Sequence, residues 1–161
     1  MYQHILLAVA LQHWDKPSPH ALAARDAAVA LAKGAGARLS VLSVYEYEDL
    51  DVPDLESAEL GRYREAQMQR IDALMEQKLK TFLDGVPTDG LAVTPVLKLG
   101  EPRPLILRTA ESLGVDLLVI GAHSKRSFLD VLLGGTAAYV SRHAPCSMMM
   151  VQPEPEGQSR T

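Results

Sequence analysis

The chain has 161 residues, 47% apolar and 22% charged, with a formal net charge of -4; this suffices for one domain with a real core and excludes a disordered composition. Mild acidity leaves no broad basic footprint for DNA or RNA, so nucleic acid is not expected as a partner. A single cysteine, Cys146, permits no internal disulfide, the N-terminal run has no basic leader, and no apolar run approaches the roughly 20 residues of a bilayer span, so a cytoplasmic protein without membrane insertion is expected.

The apolar run at residues 4–10 predicts the first strand. A loop with His13 and Trp14 follows, and Ser18-Pro19 reads as a helix start, with a hydroxyl at the N-cap and proline at N1. An alanine-rich helix is expected to about residue 33, stopped at Gly34-Ala35-Gly36. Trp14 could stack on a planar ligand, but its bulk favours a place in the core. The second strand is expected at 39–45 and is followed by an acidic loop, 46–56.

A long helix is predicted over 57–83. Leu60, Tyr63, Ile71, Leu74, Met75, Leu79 and Phe82 recur on one stripe, and Met68 and Met75 read as core packing. The third strand is expected at about 92–97, and Pro95 within it predicts an edge position. Gly100-Glu101-Pro102 turns into a third helix over 104–113. A fourth strand at 116–120, a fourth helix at 132–143 and a fifth strand at 147–152 complete the series. Alternation of strand and helix implies a parallel sheet with helices on both faces, binding ligands beyond the carboxyl ends of its strands. The polar residues 153–161 read as a flexible tail after a single domain at 1–152.

The segment after the fourth strand carries the most functional information. Gly121 ends that strand, and a basic stretch leads to Gly134-Gly135-Thr136 at a helix start. This is the order in which α/β proteins cradle phosphate with backbone N–H groups. The segment resembles the universal stress protein family, whose pattern is G-x2-G-x9-G-[ST] followed by a helix and a His-Ala-Pro-Cys-like turn. Gly121 and Gly134 match. Ser124 stands at the second glycine, Gly135 at the Ser/Thr position, and His143-Ala144-Pro145-Cys146 matches the closing turn. His4-Ile5-Leu6-Leu7-Ala8-Val9, the turn from Gly34 to Leu39, and Gly100-Glu101-Pro102 extend the resemblance to nearly the whole chain.

The resemblance implies a three-layer α/β/α fold of the adenine nucleotide alpha hydrolase-like, Rossmann-like type with strand order 3-2-1-4-5. It implies a nucleotide site at Ala10, Val44, Gly100, Gly121, His123, Ser124, Lys125, Arg126, Gly134, Gly135 and Thr136. It also implies a homodimer through the last strand at Met148, Met149, Met150 and Val151. The ligand expected is ATP or AMP, with Mg2+ accompanying ATP and no cofactor required for chemistry. Nucleotide-binding members carry an Asp where this chain has Ala10, which removes one charged acceptor worth about 1.5–3 kcal/mol. Ser124 retains a backbone donor, Thr136 offers a hydroxyl near the place vacated at Gly135, and Lys125 and Arg126 could neutralise phosphate.

Three functions follow as alternatives: a nucleotide-binding homodimeric stress-response regulator, a nucleotide-free scaffold of the same family, and a weak ATPase. The last ranks lowest, because no positioned nucleophile, carboxylate pair or general base accompanies the loop. The five histidines show no metal-ligand spacing, and Cys146, entering an apolar strand, reads as an inert buried thiol. A phosphoacceptor receiver domain is disfavoured, since Ala10 and Lys98-Leu99 stand where its acids belong.

Overall fold

The computed structural model describes residues 1–47, 56–121 and 135–154. Most of the acidic loop, the segment holding His123, Ser124, Lys125, Arg126 and Gly134, and the tail beyond Glu154 lie outside the described residues. The elements run β1 (His4–Val9), α1 (Pro19–Ala35), β2 (Arg38–Tyr45), α2 (Ser57–Asp84), β3 (Val93–Leu99), α3 (Pro102–Ser112), β4 (Leu117–Gly121), α4 (Thr136–His143) and β5 (Ser147–Val151). The five strands form one parallel sheet in the order β3-β2-β1-β4-β5, the order the family resemblance implies.

Alternation along β1 divides the core. Ile5, Leu7 and Val9 face the alanines of α1 and Met75, Leu79 and Phe82 of α2. Leu6 and Ala8 face the other way, with Leu42 and Leu118, onto Ile106 and Ala110 of α3 and Val140 of α4. This is the three-layer arrangement expected of a parallel sheet whose faces are both covered. Ala21, Ala24, Ala28 and Ala32 make the buried face of α1 at helical spacing.

The helix ends of α1 are locally encoded. The Ser18 hydroxyl accepts from the Ala21 N–H at 3.2 Å, and Pro19 occupies N1. At the other end Gly36 takes a left-handed φ of 66°, and the amides of Gly36 and Ala37 close on the carbonyls of Lys33 and Ala32. Pro95 lies on β3, which among the described residues is an edge strand paired with β2 alone, where a missing N–H is accommodated.

Several boundaries and burials differ from expectation. α3 begins at Pro102 rather than 104, because a proline at N1 is pre-organised for the first helical turn. β3 runs on to Leu99, since its ladder follows β2 up to Tyr45 and the Gly100 amide then donates to the Tyr45 carbonyl at 2.9 Å. The stripe on α2 is buried only at Met75, Leu79 and Phe82, whereas Leu74 is exposed and Leu60, Tyr63, Met68 and Ile71 are half-buried. A helix of 28 residues is about 42 Å long and outruns strands of seven or eight residues, about 25 Å, so its first half overhangs the sheet. Trp14 is not in the core: 47% of it remains exposed.

Candidate functional site

The strand order reverses direction between β1 and β4: the chain moves from β1 to β2 on one side and reaches β4 on the other. At the carboxyl ends of these strands is a cavity of about 300 Å³, at the small end of the range for ligand pockets. Its floor is built by the ends of three strands: Ala8 and Val9 of β1 with Ala10 just after it, Leu42 and Val44 of β2, and Ile120 and Gly121 of β4. These are mostly aliphatic, a surface suited to a flat apolar ring.

Three helices begin at the rim. Ser18, His20 and Ala21 come from the start of α1, Pro102 from the start of α3, and Gly135, Thr136 and Ala137 from the start of α4. Parallel β-α order dictates this, because each crossover helix starts where its strand ends. The convergence brings the positive ends of three helix dipoles to one opening. The ends differ in capping. Ser18 caps α1 with its side chain, whereas Gly135, with extended φ and ψ of -72° and 158°, leaves α4 without a side-chain cap. Neither the Gly135 N-cap of α4 nor the Glu101 N-cap of α3 supplies a side-chain bond, so among the described residues the first-turn N–H groups of α4 are donors suited to an anion. The Thr136 hydroxyl lies at the same rim.

The loop between β1 and α1 is pinned over the cavity from two sides. The side-chain amide of Gln12 donates to the Glu46 carbonyl at 2.7 Å and accepts from the Glu46 N–H at 2.9 Å, tying the loop to the end of β2. From α2, the Lys78 ammonium donates to the carbonyls of Leu11, Gln12 and Trp14 at 3.1, 2.9 and 3.0 Å. Trp14, so held, contributes to the cavity wall. Behind β2, the phenols of Tyr45 and Tyr47 both donate to Oδ1 of Asp72, at 2.6 and 2.7 Å. Burial, then this hydrogen bond, pushes the Tyr45 phenol above its usual range; for Tyr47 the hydrogen bond is the larger cause.

Of the residues expected at the site, the structure brings Ala10, Val44, Gly121, Gly135 and Thr136 to this one cavity. Gly100 does not line it. Its φ of 137° suits glycine at the β3–α3 turn, where a Cβ would stand 3.0 Å from Leu105 Cδ1, so its role there is in the turn. His123, Ser124, Lys125, Arg126 and Gly134 lie outside the described residues. Trp14, for which the sequence favoured the core over stacking on a ligand, lines the cavity, as do Ser18 and His20, to which the sequence assigned no ligand role. The signal for the last two was present: helix starts in a parallel sheet face the ligand end, and Ser18-Pro19 marks such a start.

A sequence profile of the universal stress protein family matches residues 1–152. This chain belongs to the universal stress protein family. A universal stress protein of Thermus aquaticus is 32% identical over 154 residues, covering 94% of this chain and 100% of that protein. Among solved structures, the universal stress protein UspA from Lactobacillus plantarum superimposes with a TM-score of 0.62 at 27% identity, covering 93% of this chain and 97% of that one. A universal stress protein family protein from Arabidopsis thaliana, solved with AMP bound, shares the fold with a TM-score of 0.60 at 16% identity, covering 98% and 95% of the two chains.

In this universal stress protein, β5 is an edge strand, paired on one side with β4. Met148 packs inward against the clusters that hold Val140, Ala137 and Ala138 of α4, and Val151 packs against the α1 face of the core. Met149 and Met150 are exposed. Cys146, at the strand's entry, is half-buried, and burial raises its thiol pKa, which suits an unreactive side chain. Among the described residues no helix is long and apolar enough to cross a membrane, and no group of three or more His, Cys, Asp or Glu side chains could hold a metal.

Proposed function

We propose that this universal stress protein binds an adenine nucleotide in the cavity at the strand-order reversal and acts as a homodimeric stress-response regulator. The observation that carries the reading is the pairing of an aliphatic slot with the uncapped start of α4 at one opening. A base fits the slot, and phosphate oxygens accept from the α4 amides and the Thr136 hydroxyl. The AMP found in the Arabidopsis thaliana protein of the same fold supports this ligand class. With ATP, Mg2+ would ride on the phosphates and water, as this ion commonly does.

Ala10 shapes the affinity. With no carboxylate at the end of β1, the ribose loses a charged acceptor, and binding about ten- to a hundredfold weaker than with an acid there is expected. The dimer part of the proposal rests on β5. Its outer edge, with exposed Met149 and Met150, is suited to pairing with a second copy.

Native mass spectrometry of the protein purified from cells, followed by calorimetry with ATP, ADP, AMP and cyclic AMP, tests the ligand. A co-purified adenine nucleotide, or heat with at least one of the four, is the expected result; no mass and no heat overturns the reading. That result would favour a nucleotide-free scaffold. One observation already leans that way: among the described residues, no acidic side chain lines the cavity.

A further inference from the structure

Trp14 presents an unusual combination. It is a large aromatic side chain left 47% exposed, yet its backbone carbonyl is tethered by the Lys78 ammonium at 3.0 Å. Burying it would be favourable, and an isolated surface tryptophan would need no tether. The tether consists of an ammonium shared by three carbonyls and an amide doubly bonded to Glu46. Lys78 reaches it from α2, 64 residues further along the chain. The loop is therefore tied to α2 and to the end of β2 through Lys78 and Gln12, and its tryptophan lines the cavity.

Resting on the nucleotide reading, the geometry points to Trp14 as the residue that recognises the ligand's base, by ring stacking, with Lys78 and Gln12 as positioning residues that hold it in place. Stacking compensates for the missing acid at Ala10 and changes what is selected. A carboxylate on the ribose reads the sugar, whereas an aromatic face reads any planar base, because every base has a π-face. The ligand class is thus a nucleotide held by its planar base, with weak preference between adenine and guanine.

Trp14 is the only tryptophan in the chain, so its fluorescence reports this contact without labelling. AMP and GMP should both quench it on binding, with affinities within about tenfold of each other, and ribose 5-phosphate, which has no base, should not. By calorimetry, Trp14→Ala should weaken AMP binding about fivefold to a hundredfold, while Trp14→Phe retains most of it. Lys78→Met should weaken binding and shift the emission of the ligand-free protein, a change that loss of mere helix stability would not produce. If AMP gives heat but no quenching, and Trp14→Ala binds as the parent does, this inference falls and the nucleotide reading stands. If the parent gives no heat with any nucleotide, both fall together.

Discussion

Gly121 ends β4 against the backbone of His20: a Cβ on Gly121 would stand 2.9 Å from the His20 carbonyl oxygen and 3.1 Å from its carbonyl carbon. Those atoms belong to the first turn of α1 and cannot swing aside as a flexible side chain would. The glycine is thus required for α1 to approach the sheet, whatever it also offers a ligand at the cavity. Gly121→Ala should destabilise the fold by about 1–3 kcal/mol through overpacking. For a domain of this size that lowers Tm by roughly 2–4 °C per kcal/mol. An unchanged thermal midpoint would show that α1 yields freely there.

Restoring the acid at the end of β1 tests the ribose contact by gain rather than loss. Ala10 is exposed and lines the cavity, so Ala10→Asp adds a carboxylate without disturbing the core. Under the proposed function, AMP affinity measured by calorimetry should rise about ten- to a hundredfold. No gain would place the sugar away from β1.

At the opposite end of the sheet, Asp116 accepts from the backbone N–H groups of Gln3 and His4 at 2.8 and 3.1 Å, joining β4 to the start of β1. Burial acts to raise its pKa, but the backbone donors prevail, and the carboxyl is held below its ordinary value. A depressed folded pKa means stabilisation present above the unfolded value, about 3.9, and lost as pH falls through the folded value. Asp116→Asn, whose amide can accept only at one oxygen, should lower the urea midpoint at pH 7. The gap between variant and parent should narrow progressively below about pH 4. A pH-independent gap would assign the loss to packing instead.

The edge of β5 gives a test of assembly. Met150 is 43% exposed on this strand, and a charge there opposes edge-to-edge pairing. Under the proposed function, light scattering at micromolar concentration should find a dimer for the parent and a monomer for Met150→Lys. A parent that is monomeric at that concentration removes the dimer from the proposal.

Secondary structure was legible where its cause is local. Ser18, Pro19 and Gly36 carry their capping roles in their own covalent chemistry, and Pro95 marks an edge because it lacks an N–H. The parallel sheet follows from strand-helix alternation, and the family resemblance carried the strand order. The cavity was partly legible too, since Ala10, Val44, Gly121, Gly135 and Thr136 meet there. The roles of Gly100 and Gly121 were not separable in sequence. One serves a turn at positive φ and the other an approach by a distant helix, and both read simply as glycine.

The amino-acid sequence by itself determined the order of the elements and the caps of α1, because these depend on neighbours along the chain. Tertiary structure alone decided that half of α2 overhangs the sheet, that His20 abuts Gly121, and that Trp14 stands at the cavity rather than in the core. The reason is distance along the chain: Lys78 and Gln12 fix that tryptophan's loop through partners 64 and 34 residues away, and no local pattern encodes which distant carbonyls an ammonium will gather.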